Sequence, residues 1–168
     1  MIAGEAARES PLWGQSLRSL PERELEPVFS PLAEERFRLG LETIYEGYLL
    51  HYGRPRLFAP RDRDTGLLLG DYLYAHGLVH VAAREPVEAV ADLSALISLC
   101  AQLRASSRDG DGAVWAATAS LLGDGGLEEA RAALRDDGDG QPLLELAREA
   151  AGGEPVERAL AVHARKVG

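Results

Sequence analysis

The chain has 168 residues, of which 46% are hydrophobic and 27% charged, a composition that indicates one compact domain without need of disulfides or a structural metal. Its formal net charge of −9 repels phosphate backbones, so nucleic acid is not an expected partner. The single cysteine, Cys100, cannot close an intrachain disulfide, and the opening MIAGEAARES lacks the pattern of a signal peptide. We therefore expect a cytoplasmic protein. No membrane span is expected either, because polar residues interrupt the longest apolar run, 67–83.

The first thirty residues contain three prolines among scattered charges, a spacing that interrupts helices before they lengthen. This pattern predicts an extended N-terminal arm over residues 1–30 and a single helical domain over 31–168. The domain is expected to begin with a helix over 31–51. Ser30 is a good N-cap for that helix, Pro31 fits its first position, and apolar residues then recur at three- and four-residue spacing.

The next helix is predicted over 67–83, with Asp64 or Thr65 as its cap. It is hydrophobic almost all round, which predicts a buried helix in the middle of the bundle. Asp71 lies within this apolar segment and needs a partner, for which the free backbone donors of a first helical turn or a nearby arginine are expected.

The rest of the chain alternates helical patterns with hydrophilic or glycine-rich breaks. A helix opened by Pro86 places Cys100 on its apolar side, where we expect inert packing. Asp109 and Asp111 lie in a predicted turn. Because alternating β-branched or aromatic runs are absent, the sequence predicts an all-α helical bundle. The expected helices from this point on cover 86–105, 113–122, 127–134, 142–151 and 155–166.

One segment, GRPRLFAPRDRDTGLLLGDYLYA over 53–75, resembles the trans-prenyl (polyprenyl) diphosphate synthases. That family has an RRGxP turn followed by a buried helix that begins AVLLGDYLLA. The likeness continues through PVEAVADLSALISLCAQL and AVWAATASLLG, and the C-terminal tail is weakly similar to the family's last helix. The resemblance implies an isoprenoid-synthase-like bundle, truncated relative to the family. The positions that match the family motifs are Gly53, Arg54, Pro55, Gly70 and Asp71.

Catalysis in that family depends on two aspartate-rich motifs that bind magnesium and clamp the substrate diphosphate. Alignment on Gly53 places Glu42 and Glu46 at the outer positions of the first motif, where the pair is either a residual metal site or the exposed face of an amphipathic helix. The family's lysine-bearing segment has no counterpart, because the only lysine is Lys166. The second motif is missing, and its best local candidate is a solvated, glycine-rich loop that contains Asp136, Asp137 and Asp139.

These losses predict a non-catalytic polyprenyl-synthase-like protein, a pseudoenzyme that is inactive by itself and needs no cofactor. Its expected role is that of an accessory or regulatory subunit in isoprenoid (polyprenyl diphosphate) biosynthesis. The resemblance implies a dimer in which the helix with Gly70 and Asp71 builds the interface. The expected partner is a second copy or a full-length prenyl diphosphate synthase, and the candidate contacts are Tyr72, His76, Val79 and His80.

Two alternatives stay open at this point. In the first, Glu42, Glu46 and Asp71 bind Mg²⁺, and a partner chain completes a composite prenyltransferase site. In the second, the chain is a helical protein-interaction module with no isoprenoid role. The pair His76 and His80, four residues apart, also has the spacing of a helical metal site, which Glu42 and Glu46 would complete.

Overall fold

The computed structural model describes residues 2–83 and 87–167, without the side chains of Ile2, Ala3 and Glu5. Within these ranges the chain is an all-α helical bundle, which confirms the predicted fold class, and its β pairing is limited to an isolated bridge between Leu17 and Phe58. The helices are α1 (Ile2–Glu9), α2 (Pro11–Gln15), α3 (Arg38–Tyr52), α4 (Arg63–Ala82), α5 (Val87–Ala105), α6 (Asp111–Ser120), α7 (Glu128–Ala132), α8 (Gln141–Ala151) and α9 (Gly153–Val167).

The N-terminal arm differs from the predicted extended segment, because its first half is helical. Ser10 caps α2 by accepting a hydrogen bond from the Leu12 N–H at 3.2 Å, and Pro11 occupies the first helical position, where its missing N–H has no cost. The prolines therefore start short helical turns as well as limiting them. After α2 the arm runs through a single 3₁₀ turn, and Phe29 at its end is buried in the core.

The first long helix is shorter than predicted. Ser30 and Pro31 begin a 3₁₀ turn, a second 3₁₀ turn covers Glu35–Phe37, and α3 starts only at Arg38. Between the two turns Ala33 takes extended backbone angles, which ends any helix that Pro31 opens. The helix predicted from the spacing of the apolar residues is therefore correct from Phe37 onward, but its predicted first turns, before Phe37, are wrong.

Helices α3 and α4 pack closely because glycines face each other across the contact. A Cβ on Gly47 would lie 2.9 Å from the Gly70 carbonyl oxygen, and a Cβ on Gly77 would lie 3.1 Å from the Gly40 carbonyl oxygen. The two contacting glycines of each helix are seven residues apart, so the two backbones approach closely at two points that are two turns apart. The prediction from sequence did not include this contact.

The predicted position of α4 in the middle of the bundle is wrong. Its buried residues lie on the face toward α3 and α5, whereas Leu68 is 58% exposed and Val79 67% exposed. Its cap is Asp62, which accepts from the Thr65 N–H at 2.7 Å, and not Asp64 or Thr65 as predicted. The central helix is α6, whose residues 113–119 are all buried among α5, α8 and α9.

The remaining helices agree with the predicted ones in number and order, and most of their boundaries are within two residues. The N-terminal boundary of α5 is not tested, because the predicted first residue, Pro86, lies outside the described residues. Helix α7 continues into a π turn over Ala133–Asp137. Of the helices that the structure describes, none has the length and apolarity needed to cross a bilayer.

Candidate functional site

Glu42 and Glu46 come together around one guanidinium. They lie one turn apart on α3 and face Arg56, which follows in the loop before α4. Arg56 Nη2 is 2.6 Å from Glu42 Oε2, and Arg56 Nε donates to Glu46 Oε2 at 3.2 Å. The other oxygen of Glu46 accepts the Leu57 N–H at 2.7 Å, and both Glu46 and Arg56 are buried.

The same carboxylates fasten the N-terminal arm to α3. Glu42 Oε1 accepts the backbone N–H groups of Val28 and Ser30, each at 3.3 Å. Arg56 Nη1 donates to the Glu26 carbonyl oxygen at 2.9 Å. This network therefore connects three segments of the chain that are distant in sequence.

These contacts differ from the predicted metal pair. Burial raises the pKa of Glu46, and Arg56 and the Leu57 N–H oppose that shift. Burial would lower the pKa of Arg56, but Glu42 and Glu46 outweigh it and raise the pKa, so the guanidinium stays charged. Among the described residues no three His, Cys, Asp or Glu side chains are placed to hold a metal ion together. The alternative of an exposed helix face is wrong, because Glu46 is fully buried.

The motif positions Gly53 to Pro55 form the turn that receives the end of α9. The Arg54 N–H donates to the Lys166 carbonyl oxygen at 2.9 Å, and a Cβ on Gly53 would lie 2.8 Å from that same oxygen. The side chain of Lys166 is buried and forms an ion pair with Glu24 in the N-terminal arm. The only lysine of the chain therefore has a structural contact.

Gly70 and Asp71 act on His51 of α3. A Cβ on Gly70 would lie 2.6 Å from His51 Nε2, so glycine is what allows the imidazole to lie across α4. Asp71 is mostly exposed, and its Oδ1 is 3.2 Å from the same Nε2. Burial lowers the pKa of His51, and Asp71 opposes that shift. The prediction of backbone donors or an arginine as the partner of Asp71 is wrong. Helix α4 begins about two turns before Asp71, so Asp71 does not lie in the first turn with its free N–H groups. Its partner is His51 of the neighbouring helix α3.

The candidate interface residues are divided between covered and exposed positions. Tyr72 is half-buried and donates its hydroxyl hydrogen to Glu9 Oε2 at 2.7 Å, and His76 Nδ1 is 3.9 Å from Glu9 Oε1. Val79 is 67% exposed, and His80 is half-buried on the neighbouring flank of α4. Two of the four candidate contacts therefore lie against the chain's own α1.

A second polar cluster, not predicted from the sequence, is centred on Asp111. Asp111 lies at the first position of α6, is buried, and accepts hydrogen bonds from the Tyr48 hydroxyl and the Arg104 guanidinium. His163 Nε2 of α9 is 3.3 Å from the same carboxylate, and its Nδ1 is 3.0 Å from the Tyr45 hydroxyl. Asp109 lies in the predicted turn between α5 and α6, whereas Asp111 is the first residue of α6 and not part of that turn. The signals available in the sequence were two tyrosines three residues apart on one helix and an aspartate at a helix start.

Electrostatics keep Asp111 ionised. Burial would raise its pKa, but the hydrogen bonds from His163 and Tyr48 and the charge of Arg104 outweigh burial and lower the pKa strongly. A groove of about 640 Å³ lies beside the cluster, lined by its polar groups and by apolar residues of α8 and α9. Within the described part of the chain the polar groups of this cluster bind one another, so the cluster fastens α9 to α3 and α6.

Taken together, the fold and these contacts define an all-α bundle whose buried charges are paired within the chain. Comparison with protein-family models, with curated proteins and with solved structures finds no match to this chain. The resemblance of 53–75 to the prenyl diphosphate synthases therefore stays a prediction from sequence.

Proposed function

We propose that this protein is a non-catalytic accessory subunit of polyprenyl diphosphate synthesis, and that it works by associating with a full-length synthase. The observation that carries this proposal is the arrangement at Glu42 and Glu46, where the resemblance implies metal ligands. Both carboxylates bind Arg56, and Glu46 is fully buried. A magnesium ion would have to displace a buried guanidinium, which leaves an unpaired charge in the core at a large free-energy cost.

A surface for the partner is available on α4. Five apolar residues follow one another at alternating spacings of four and three positions, and four of the five are exposed. This spacing is that of a helix seam that packs against another helix. We call these residues the outer stripe: Leu68, Tyr72, Ala75, Val79 and Ala82.

Few charged residues follow the first turn of the outer stripe. From Leu68 to Leu103 the chain has five charged residues other than histidine, of which Asp71 is exposed beside the stripe and Asp92 is buried in an ion pair with Arg131 at 3.0 Å. Val87 at the start of α5 is 79% exposed as well. Depletion of charge around exposed aliphatic side chains is typical of the core of a protein interface.

The association is tested by titrating the purified chain with the full-length polyprenyl diphosphate synthase of its source organism in sedimentation velocity experiments. We expect a complex with a dissociation constant in the micromolar range or below. Val79→Glu should weaken it at least about tenfold, because it introduces a charge into an apolar contact. Leu25→Glu is the matched control, since Leu25 is 74% exposed on the N-terminal arm, and it should leave the affinity unchanged.

Failure of the wild-type chain to bind the synthase would contradict the proposal and favour an interaction module without an isoprenoid role. The composite enzyme is tested by calorimetric titration with farnesyl diphosphate, with and without Mg²⁺. We expect no binding heat in either titration. Heat that requires Mg²⁺ and disappears in Glu42→Gln would contradict the non-catalytic proposal and assign the glutamates to a shared site.

A further inference from the structure

We infer that α1 and α2 form an intramolecular cover over the outer stripe of α4 and compete with the partner subunit for it. This inference rests on the association proposed above and adds a regulatory contact to it. We call residues 2–15 the N-terminal cover. The observation behind the inference is that the cover lies on Tyr72, the second of the five residues of the stripe, and leaves the other four exposed.

The contacts of the cover converge on Tyr72. The Tyr72 hydroxyl donates to Glu9 Oε2 at 2.7 Å, and the ring of Trp13 lies 5.6 Å from the ring of Tyr72, centroid to centroid. The ring of His76 stacks on that of Tyr72 at 5.5 Å, centroid to centroid, and His76 Nδ1 is 3.9 Å from Glu9 Oε1. One carboxylate and one aromatic ring of the cover therefore lie against Tyr72, the second residue of the stripe.

The cover divides a continuous apolar surface. Leu68, one turn before Tyr72, is 58% exposed, and Val79, two turns after it, is 67% exposed. A partner helix that follows the stripe from Leu68 to Val79 has to pass over Tyr72, where Glu9 and Trp13 already lie. The partner and the cover therefore exclude each other at this point.

The cover is fastened at one end. Immediately after α2, the Ala59 N–H donates to the Ser16 carbonyl oxygen at 2.7 Å, and the Arg18 N–H donates to the Leu57 carbonyl oxygen at 3.0 Å. Before Ser16 no residue of α2 is buried, and α1 contributes Ala6 as its buried residue among the side chains that the structure describes. Ala6 packs with Leu57, Phe58, Leu69 and Leu73, and Trp13 packs against that cluster. This arrangement allows the cover to leave α4 while residues 16–18 stay in place.

The experiment compares the affinity of the full-length synthase for the wild-type chain, Trp13→Ala and Leu25→Ala. Trp13→Ala removes the ring contact with Tyr72 and should tighten binding on the order of tenfold, because the competent state becomes more populated. Leu25→Ala, in the same arm but away from the stripe, should match the wild type. Glu9→Gln should tighten binding by a smaller factor, since the amide still accepts the Tyr72 hydrogen bond.

Hydrogen exchange measured by mass spectrometry gives the second readout. When the wild-type chain binds the synthase, amides of residues 2–15 should exchange faster while those of α4 exchange more slowly. Equal affinities of wild type and Trp13→Ala, or added protection of residues 2–15 in the complex, would overturn the cover and leave the association intact. No complex with any of the variants would overturn the proposed function and the cover with it.

Discussion

Helices α4 and α6 are both apolar in sequence, but the bundle buries them to very different degrees. All residues of α6 from Ala113 to Ala119 are buried, because α5, α8, α9 and the turn at Ser30–Leu32 surround it. Helix α4 packs on α3 and α5 and keeps the outer stripe toward solvent or under the N-terminal cover. The comparison shows that apolar composition predicts which helices require partners, whereas the number of neighbours is a property of the assembled bundle.

The two helices also differ in what holds them. Helix α6 is held at its start by a charge, since Asp111 accepts hydrogen bonds from Tyr48 and Arg104. Helix α4 is held by the close approach of backbones at Gly70 and Gly77. Substitutions at these contacts should therefore be costly, and substitutions on the outer stripe should not.

The largest effect is expected at Asp111. Asp111→Asn leaves Arg104 and His163 without their carboxylate, so we expect a loss of about 3 kcal/mol in the free energy of unfolding. Urea unfolding at pH 7, monitored by circular dichroism, measures this loss. Asp109→Asn is the control, because Asp109 is exposed and its substitution should change stability by less than about 0.5 kcal/mol. Equal effects of the two substitutions would refute the central role of Asp111.

The same carboxylate should make the fold sensitive to acid. The pKa of Asp111 is lowered in the folded state, so its contribution to stability is present above the unfolded pKa of about 4 and is lost as the pH falls below it. Urea midpoints measured between pH 5 and pH 2.5 should fall more steeply for the wild type than for Asp111→Asn. Parallel curves would show that other carboxylates control acid unfolding.

The next effect is expected where α3 and α4 touch. Gly47→Ala would place a Cβ 2.9 Å from the Gly70 carbonyl oxygen, and the two backbones must separate, which we expect to cost about 2 kcal/mol. Gly153→Ala is the matched control, because the described part of the chain leaves space for a Cβ there. Thermal unfolding should show a lower Tm for Gly47→Ala only. A wild-type Tm for both variants would contradict the close packing.

A smaller effect is expected from His51, which lies between α3 and α4. Because burial lowers its pKa, the unfolded chain binds the proton more readily than the folded chain does. Stability should therefore decrease as the pH falls through the usual histidine value of about 6.5, and it should level off below the folded pKa. Unfolding measured at pH 8 and pH 5.5 should show less difference in His51→Gln than in the wild type. His80→Gln serves as the comparison from the half-buried flank of α4.

The smallest effect is expected on the outer stripe. Leu68→Ser should change the free energy of unfolding by less than about 0.5 kcal/mol, because Leu68 is 58% exposed. Leu69→Ser, one position further, should cost about 3 kcal/mol or more, because Leu69 is fully buried against α3 and the loop around Phe58. Chemical denaturation of the two variants side by side distinguishes the faces of α4. Similar losses would mean that the stripe belongs to the core of the isolated chain.

Much of the fold was accessible from the sequence. Glycine-rich breaks and apolar spacing predicted the order of the helices from 38 onward, because those signals act within a few residues. The arm was predicted less well, since a proline both ends one helix and starts the next, as Pro11 does after Ser10. Glu42 and Glu46 were recognised as a pair, but their partner Arg56 was not, because it lies ten positions after Glu46 and the chain between them had to fold before the three side chains met.

The sequence by itself determined that this chain is an all-α bundle with an apolar helix, predicted over 67–83 and observed at Arg63–Ala82, because helix signals and hydrophobic patterns are local. Only the tertiary structure decided that Glu46 is buried against Arg56, that Asp111 joins α3, α5, α6 and α9, and that the outer stripe of α4 faces away from the core. Burial and charge pairing depend on groups that are distant along the chain. Their partners therefore become defined only when the helices pack.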